Sequence, residues 1–371
     1  MKILFIVPYC SKGPSNRYRV EQYLPYLKAK GIDYDISPFV FKKFYDIVYL
    51  EGRYLEKTAY FLVALFRRIV DIIKLYNYDL VFIHREACPF GPPVFEWLIY
   101  KFKKPIILDF DDAIFLENFN PVNRFYKFLK FPSKTKTIIK LSSAVIVANQ
   151  FLYEYASKVN SCVHIIPTSI DTEKLNVIKR DSGEIVIGWI GSPTTSCYLR
   201  LIYNVMRELS RRYRFILKIV GAEKPIFIHG VKIENFDWSL DREVSDFQNI
   251  DIGIYPLFDT LWARGKAGFK AIQYMAVGVP VVASSIGMNK DIIQDGVNGF
   301  LAGSEEEWVD KISRLVEDPA LRKKIGLAGR RTVEEKFSIK LNAQKLLDIL
   351  ERKTSKPVLP QTCFEASQIH V

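Results

Sequence analysis

Three cationic side chains and two glycines fall within the short segment RGKAGFK, residues 264–270. The segment leads into a short predicted helix that a proline ends. The first amide groups of a helix lack partners, and the helix dipole is positive there, so helix N-termini bind anions. The cations are Arg264, Lys266 and Lys270, and the nearest amides are those of Gly268 and Phe269. The pattern predicts a site for a nucleotide diphosphate, although a loop-to-helix junction with solvated cations explains it equally well.

A second phosphate-binding candidate follows the predicted strand Ile185–Ile190. The next loop, GSPTTS, places the amides and hydroxyls of Gly191, Ser192 and Thr194 just before a predicted helix. Such groups suit phosphate oxygens. A simple helix cap is the alternative interpretation.

The first predicted strand, Ile3–Val7, is followed by the loop PYCSKGPSNRYR. Gly13 and Ser15 precede a predicted helix, and Arg17 and Arg19 lie in its first turn, where cations are unfavourable for the helix itself. A bound anion would relieve this cost, and a plain strand-to-helix loop is the alternative. The GxGxxG fingerprint is absent, which argues against a dinucleotide-dependent dehydrogenase.

His84 directly follows the predicted strand Leu80–Ile83 and has charged neighbours. A histidine at the carboxyl end of a strand can donate a hydrogen bond to a sugar hydroxyl. A structural histidine is the competing interpretation.

Three carboxylates are crowded into DFDDA after the predicted strand Ile106–Leu108. Strand alternation predicts that Asp109 and Asp111 share a face, with Asp112 on the other. Mg²⁺ favours one or two carboxylates together with phosphate oxygens, so a metal site is one interpretation. A helix cap, or salt bridges to the basic loops, is the other.

Apolar runs of Val, Ile and Leu alternate with helical periods along the whole chain, which indicates parallel sheets buried on both faces. The polar segment Asp171–Gly183 interrupts the pattern and is predicted to be a linker. We therefore expect an α/β fold of two doubly wound, Rossmann-like domains, residues 1–175 and 184–335, facing across a cleft. A helix at Ile339–Lys353 follows, and residues 354–371 are predicted to form a loose tail.

The other predicted elements are of both kinds. Further strands are predicted at Ala144–Val147, Val163–Ile166, Phe215–Val220, Ile250–Tyr255 and Val281–Ala283. Further helices are predicted at Val20–Lys30, Pro93–Lys101, Gln150–Ala156, Tyr198–Arg211, Glu305–Glu317 and Pro319–Glu335.

The 371-residue chain carries a formal net charge of +12, which favours an anionic partner. Cations and aromatic residues interleave between Arg124 and Lys140, as at a membrane interface, although a solvated basic helix face is the alternative. The sequence contains no recognisable nucleic-acid-binding motif, so nucleic acid is not an expected partner.

Five scattered cysteines without a CxxC pair indicate reduced thiols in a cytoplasmic protein, and zinc is not expected. The N-terminal MKILFIVPY is too short and strand-like for a signal peptide. The longest apolar run, Ala59 to Phe66, falls far short of the roughly 20 residues that span a bilayer. We therefore expect a soluble protein, or one bound peripherally to the inner face of the cell membrane.

Residues Gln273–Ala302 have the sequence QYMAVGVPVVASSIGMNKDIIQDGVNGFLA. This segment resembles two successive motifs, E-A-M-A-x-G-x-P-V-V-A-x-x-x-G and D-G-x-x-G-x-L. Both are typical of the retaining GT-B glycosyltransferases of family 4, also called glycosyl transferase group 1. The N-terminal loop, the HREA element and IPTSIDTEKL, Ile165–Leu175, match in the same order. The resemblance covers nearly the whole chain.

This resemblance implies a GT-B fold in which the last helix, about 338–353, returns to the first domain. It implies a hexosyltransferase-type enzyme (EC 2.4) that moves a sugar, with retention, from a nucleotide diphosphate sugar to a glycan or lipid-linked acceptor, as in cell-envelope polysaccharide or glycolipid synthesis. No cofactor and no essential metal are implied, which weighs against a metal at DFDDA. The backbone of Gly13 would meet the β-phosphate, and His84 would reach the donor sugar.

The sequence departs from the family at two glutamates that usually lie eight positions apart. Gly265 and Gln273 occupy their places, and Gln273 can still hydrogen-bond a donor ribose as a neutral group. The family's basic phosphate ligands are missing from GSPTTSCY, so we expect Lys266 and Lys270, with Arg264, to replace them. Leaving-group departure would then depend on Lys266, Lys270 and His84.

The acceptor side would draw on the first domain, through Ser15, Arg17, Arg19, Asp111 and Asp112. Two alternatives remain open at this point: a GT-B-like sugar-nucleotide epimerase, and a non-catalytic GT-B partner protein whose site has lost the glutamate pair.

Overall fold

The computed structural model describes residues 1–48, 50, 52–116, 131, 133–177 and 183–354. The chain divides into two compact units. The first unit holds Met1–Thr168 together with the chain from Asn342 onward, and the second holds Ser169–Leu341. The domain limits proposed from the sequence stay predictions. Most of the basic-aromatic segment before Lys134, and the tail beyond Thr354, lie outside the described residues.

The first unit is built on a six-stranded parallel sheet with the order β2-β1-β3-β4-β5-β6. The central strands are buried along their whole length, as continuous apolar sequence predicts for a sheet covered on both faces. The strands are β1 (Lys2–Tyr9), β2 (Asp33–Val40), β3 (Leu80–His84), β4 (Ile106–Phe110), β5 (Ala144–Val147) and β6 (Val163–Ile165).

The helices of the first unit are α1 (Pro14–Arg19), α2 (Leu24–Ala29), α3 (Lys42–Val48), α4 (Tyr54–Ile73), α5 (Val94–Lys101), α6 (Lys134–Leu141) and α7 (Gln150–Ser157). The single helix predicted at Val20–Lys30 is wrong, since a 3₁₀ turn at Glu21–Tyr23 comes before α2. Pro25 lies in the first turn of α2, where its missing N–H costs nothing. Strand β2 and helix α4 were not predicted.

The second unit repeats the architecture with a six-stranded parallel sheet in the order β12-β11-β10-β7-β8-β9. Its strands are β7 (Ile185–Ile190), β8 (Phe215–Val220), β9 (Ile233–Phe236), β10 (Ile252–Tyr255), β11 (Val281–Ser284) and β12 (Phe300–Ala302). The two edge strands, β9 and β12, are short and were not predicted.

The helices that begin in the second unit are α8 (Tyr203–Arg212), α9 (Glu243–Gln248), α10 (Leu261–Arg264), α11 (Phe269–Ala276), α12 (Asn289–Ile292), α13 (Glu305–Glu317), α14 (Pro319–Thr332) and α15 (Ile339–Thr354). A 3₁₀ segment, Pro193–Ile202, precedes α8, where one continuous helix from Tyr198 was predicted. A single π-helical turn at Val333–Phe337 extends α14. Two doubly wound, Rossmann-like sheets are thus confirmed as the α/β fold class.

Arg68 fastens α4 to the sheet of the first unit, because its guanidinium is buried and finds several acceptors there. It donates hydrogen bonds to the Ala87 carbonyl at 2.8 Å and to the hydroxyl and carbonyl of Ser37 at 2.6 and 3.0 Å. The carboxylate of Asp71 accepts a further bond at 2.7 Å. Burial lowers the pKa of Arg68, and the neighbouring Asp71 opposes that shift.

Arg68→Ala should therefore lower the free energy of unfolding by about 3–5 kcal/mol, since it leaves the partly buried Asp71 and several acceptors unpaired. Urea denaturation measures the loss. Arg67→Ala is the matched control, because the Arg67 guanidinium lies over the Phe41 ring at 5.5 Å and should contribute about 1 kcal/mol or less. Equal losses in the two variants would contradict an anchoring role for Arg68.

Candidate functional site

Both sheets have a point where the strand order reverses, and ligands of doubly wound sheets bind beside such points. In the first unit it lies between β1 and β3, which are paired neighbours although β2 separates them in sequence. In the second unit it lies between β7 and β10. The loops after these four strands carry nearly all of the residues that the sequence singles out.

In the first unit, His84 at the end of β3 joins α1 to β4 through both of its ring nitrogens. Its Nδ1 lies 2.7 Å from Oδ2 of Asp109, and its Nε2 is hydrogen-bonded to the hydroxyl of Ser15. An ionised carboxylate can only accept, so Nδ1 carries a proton, and in the neutral ring Nε2 accepts the Ser15 proton. His84 is fully buried and Ser15 is partly exposed, so Ser15 presents the accessible end of this chain of hydrogen bonds.

The same Asp109 carboxylate forms a buried ion pair with Arg19. The guanidinium of Arg19 holds both carboxylate oxygens, one of them at 3.2 Å from Nε. Arg19 also donates to the carbonyl of Ile166 at 2.7 Å. Burial opposes ionisation, but Arg19 and then His84 hold the pKa of Asp109 below its usual value. Arg19, predicted on the acceptor side, thus lies inside the unit with its donors committed to internal partners.

Asp111 and Asp112 are gathered by Arg85, which the sequence analysis did not single out as a site residue. Arg85 Nε and Nη2 donate to Asp111 Oδ1 at 3.0 and 2.8 Å, and Nη2 also reaches Asp112 at 2.6 Å. Burial would raise the pKa of Asp111, yet Arg85 brings it well below its usual range. Arg85 lies directly after β3 and has a φ of +66°, an uncommon value for a non-glycine residue.

The carboxylates of DFDDA are therefore arranged around arginines and a histidine. Oδ1 of Asp111 lies 4.0 Å from Nε2 of His84, so Asp109 and Asp111 approach the same ring. Asp112 was predicted on the opposite face, but it binds the same Nη2 of Arg85 as Asp111 does, because β4 ends at Phe110 and strand alternation does not extend to these residues. In the described part of the chain, no group of three or more His, Cys, Asp or Glu side chains is arranged to hold a metal ion. The expectation that no essential metal is needed stays a proposal.

Gly13 and Arg17 border the same loop. Gly13 precedes α1, and a Cβ at this position would lie 2.7 Å from the Cβ of Tyr9, so the loop can close over β1 only with glycine there. The guanidinium of Arg17 lies over the Tyr18 ring at 5.3 Å, and its Nε and Nη2 atoms are buried although the residue as a whole is partly exposed. Gly13, Ser15 and Arg17 are thus brought to one edge of the sheet.

In the second unit, the loop after β7 forms a capping box. The Ser192 amide donates to Oγ1 of Thr195 at 3.0 Å, and the Ser192 hydroxyl lies 3.1 Å from that of Thr194. A Cβ on Gly191 would lie within 2.9 Å of both Trp189 and Thr195. The predicted alternative of a helix cap is therefore present, and the hydroxyls of Ser192 and Thr194 lie on an exposed loop.

Helix α11 begins beside this loop's strand and presents its N-terminus at the reversal point. Gly268 is its N-cap with a φ of +62°, and a Cβ there would lie 2.4 Å from Ile292. Lys270, in the first turn, donates from Nζ to Oε1 of Gln273 at 2.8 Å and lies over the Phe247 ring at 5.2 Å. No acidic residue occupies the first turn, so the helix N-terminus is not neutralised from within.

Arg264 and Lys266 flank the helix from the preceding turn. Arg264 ends α10 and forms an exposed ion pair with Asp259, its Nε lying 2.8 Å from Oδ1. Lys266 is partly exposed, and its amide donates to the carbonyl of Ala263. Gly265 is buried between them as the C-cap of α10. The predicted clamp is thus gathered at one edge, with Arg264 already paired to Asp259.

Tyr274 fixes the position of α11 and was missed by the sequence analysis. Its buried hydroxyl accepts a hydrogen bond from the Ile190 amide at 3.0 Å and donates to the Gly188 carbonyl at 2.9 Å. Gly253 makes room for the ring, since a Cβ there would lie 2.5 Å from it. The sequence did contain a signal for this contact: a tyrosine within an apolar helix, and glycines in the strands that the helix covers. Burial raises the pKa of Tyr274, so it stays a neutral hydrogen-bonding bridge.

Comparisons with known proteins bear on the second unit most directly. Residues 172–332 match the family model for glycosyl transferases group 1. The match includes the loop after β7 and the whole of α11. The chain is also similar to the capsular polysaccharide biosynthesis glycosyltransferase CapM of Staphylococcus aureus, at 30% identity over 190 residues, covering 47% of each chain. The chain spans about half or less of the length of the first curated relatives that it matches.

Solved structures resemble nearly the whole chain. A glycosyltransferase from Rickettsia africae aligns over 96% of this chain and 99% of its own, with a TM-score of 0.66 and 22% identity. Anabaena HepE in complex with UDP-glucose aligns over 95% of this chain and 100% of its own, with a TM-score of 0.63 and 15% identity. At these identities the likeness shows the fold, which is GT-B.

The Arg85 clamp makes a prediction about pH. Since the pKa of Asp111 is lowered in the folded chain, its contribution to stability is present above the usual carboxyl pKa of about 4 and is lost as the pH falls through the lowered value. The protein should therefore lose less unfolding free energy between about pH 5 and pH 2 when Asp111 is replaced by Asn. The difference should be roughly 1.4 kcal/mol for each unit by which the pKa of Asp111 is lowered in the folded chain.

Urea denaturation at a series of pH values measures this slope. Asp310→Asn is the control, because Asp310 is exposed and lies 3.9 Å from Arg314. That substitution should leave the slope unchanged. A wild-type slope retained in Asp111→Asn would rule out the clamp as a source of acid sensitivity.

Proposed function

We propose that this protein is a retaining glycosyltransferase that moves a sugar from a nucleoside diphosphate donor to a glycan or lipid-linked acceptor in cell-envelope polysaccharide or glycolipid synthesis. The match of residues 172–332 to glycosyl transferases group 1 carries the proposal, because that segment contains the cationic helix N-terminus of α11. The similarity to a capsular polysaccharide glycosyltransferase supports the class of pathway. The fold shared with a structure that holds UDP-glucose supports the class of donor.

The second unit supplies charge for the leaving group in this proposal. Departure of a nucleoside diphosphate builds negative charge on the β-phosphate, and preorganised donors aimed at that charge lower the barrier. The amides of Gly268 and Phe269 and the ammonium groups of Lys266 and Lys270 are such donors. Gly191, Ser192 and Thr194 add amides and hydroxyls from the loop after β7, and Gln273 would meet the ribose.

In the first unit we assign the donor sugar to the Ser15–His84–Asp109 chain of hydrogen bonds, with Ser15 as the accessible hydroxyl. The backbone of Gly13 would approach the β-phosphate. Arg17, Asp111 and Asp112 remain candidates for the acceptor, whereas Arg19 acts through Asp109 by holding the carboxylate that orients His84. No nucleophile of the enzyme is required for attack on the same face that the phosphate leaves, and the departing phosphate can accept the proton of the acceptor.

The proposal is tested by incubating the protein with UDP- and GDP-sugars and measuring release of the nucleoside diphosphate with and without glycan or polyprenyl-phosphate-linked acceptors. A thermal-shift screen against the same donors first identifies the ligand, since binding raises the melting temperature by mass action. The anomeric configuration of the product, read by NMR, tests retention. Turnover of a donor without acceptor would instead indicate an epimerase, and absence of binding to every donor would indicate a non-catalytic partner.

Lys270→Met removes the ammonium group and keeps the apolar stem that covers Phe247. Loss of one preorganised contact should lower kcat by about 10²–10³-fold and weaken binding of the nucleoside diphosphate. Steady-state kinetics and titration calorimetry measure the two effects. Lys323→Met, on an exposed surface of α14, is the matched control and should keep wild-type kinetics. Unchanged kinetics in Lys270→Met would remove Lys270 from the clamp.

A further inference from the structure

Helix α4 has an unusual distribution of side chains, because cations lie beside Ala64 and Ile72 on its buried face while its outer face is apolar as well. Its charged residues Lys57 and Arg68 lie on the face packed against the first unit, and Arg68 is 1% exposed. Its outer face carries large apolar side chains instead, among which Leu55 is 90% exposed and Phe66 is 66% exposed. The set is Leu55, Leu62, Val63, Phe66, Ile69 and Ile73, which helical geometry at 3.6 residues per turn places on one stripe. A helix that needed only to cover its own core would have polar residues on its outer face.

Helix α5, which packs beside α4, also combines a buried charged residue with an apolar outer face. Glu96 is buried and accepts a hydrogen bond from the Ala87 amide at 2.8 Å, whereas Val94, Trp97 and Tyr100 face outward. The two helices thus share one exposed apolar surface, which we call the α4–α5 face. Contiguous apolar surface of this kind marks a site of contact with a protein or a membrane.

The charges around the α4–α5 face decide between these partners. Lys74 follows α4, Lys101 and Lys103 close α5, and Lys136 and Lys140 are exposed on the adjoining α6. Lys101 lies over the ring of Trp97 at 5.2 Å, so its ammonium group borders the apolar surface directly. Among the described residues of α4, α5 and α6, the one exposed acid is Glu56, which lies 3.6 Å from Arg53.

We infer that the α4–α5 face binds the interface of an anionic lipid bilayer, with α4 lying in the plane of the membrane. Apolar and aromatic side chains would enter the acyl boundary while the surrounding lysines meet lipid phosphates. A second copy of the chain fits less well, because pairing this face with itself brings like-charged rims together. None of the helices in the described ranges combines the length and hydropathy needed to span a bilayer. The inference depends on α4, α5 and α6 alone and stands apart from the sugar-transfer proposal.

The apolar contribution is tested with the double variant Phe66→Ser and Ile73→Ser, because these residues are 66% and 67% exposed. Sedimentation with vesicles of phosphatidylcholine containing about 30% phosphatidylglycerol measures partitioning. Removing two inserted side chains should lower the partition coefficient by at least about tenfold, without lowering the melting temperature. Phe227→Ser is the matched control, because Phe227 is as exposed but belongs to the second unit.

The ionic contribution is tested with Lys101→Gln and Lys136→Gln together. Each lost cation should weaken binding to the anionic vesicles about fivefold and leave binding to pure phosphatidylcholine unchanged. Lys323→Gln with Lys324→Gln, two exposed lysines of α14, is the control and should bind as the wild type does. Quenching of Trp97 fluorescence by brominated lipid, absent in Trp97→Phe, would place α5 in the bilayer.

Wild-type partitioning in the Phe66 and Ile73 double variant would overturn the inference, and so would absence of vesicle binding by the wild type. Sedimentation velocity over a range of protein concentrations tests the remaining possibility, which is that the α4–α5 face forms a dimer. A dimer that the Phe66 and Ile73 substitutions dissociate would assign the face to a second copy of the chain and not to a membrane.

Discussion

Parallel strands deliver the loops that follow them to one edge of a sheet, and a reversal of strand order opens a gap between two of those loops. This constraint acts twice in the chain, between β1 and β3 and between β7 and β10. It brings Ser15 to His84 across residues far apart in sequence, and it brings α11 beside the loop after β7. The attraction between these side chains would not bring them together by itself, because they lie in segments that are separated by other strands and helices of the sheet.

Buried charge holds these loops in place. Arg19 of the short helix α1 forms a buried ion pair with Asp109 of the sheet. Arg68 connects α4 to the sheet through a hydrogen bond to Ser37, and it also pairs with Asp71. Burying an ion is costly unless its partners are present in good geometry, so each arginine fixes several backbone segments at once. In α4 the two buried cations lie beside Ala64 and Ile72 on the inner face, and large apolar side chains also cover the outer face.

The sequence could predict what depends on local pattern. Apolar runs located the central strands, with the observed limits at Ile185–Ile190 and with limits one or two residues off at β1, β3, β4 and β10. The motif after Gln273 identified the fold. Helix α4 was missed because apolar residues occupy both of its faces and Arg68 lies where a core residue is expected. The partners of Arg19 and Arg85 were also beyond prediction, since those contacts join segments far apart in the chain.

The departure at Gln273 has an electrostatic meaning that the contact with Lys270 makes clear. A glutamate at this position would accept the same hydrogen bond and would also cancel the ammonium charge. Gln273 accepts it at 2.8 Å and contributes no negative charge, while the first turn of α11 contains no acid. In the site that we propose, the glutamine at this position and the cation of α11 would therefore act together. A neutral partner keeps Lys270 oriented and leaves its positive charge, added to that of the helix N-terminus, available to the diphosphate that we propose binds there.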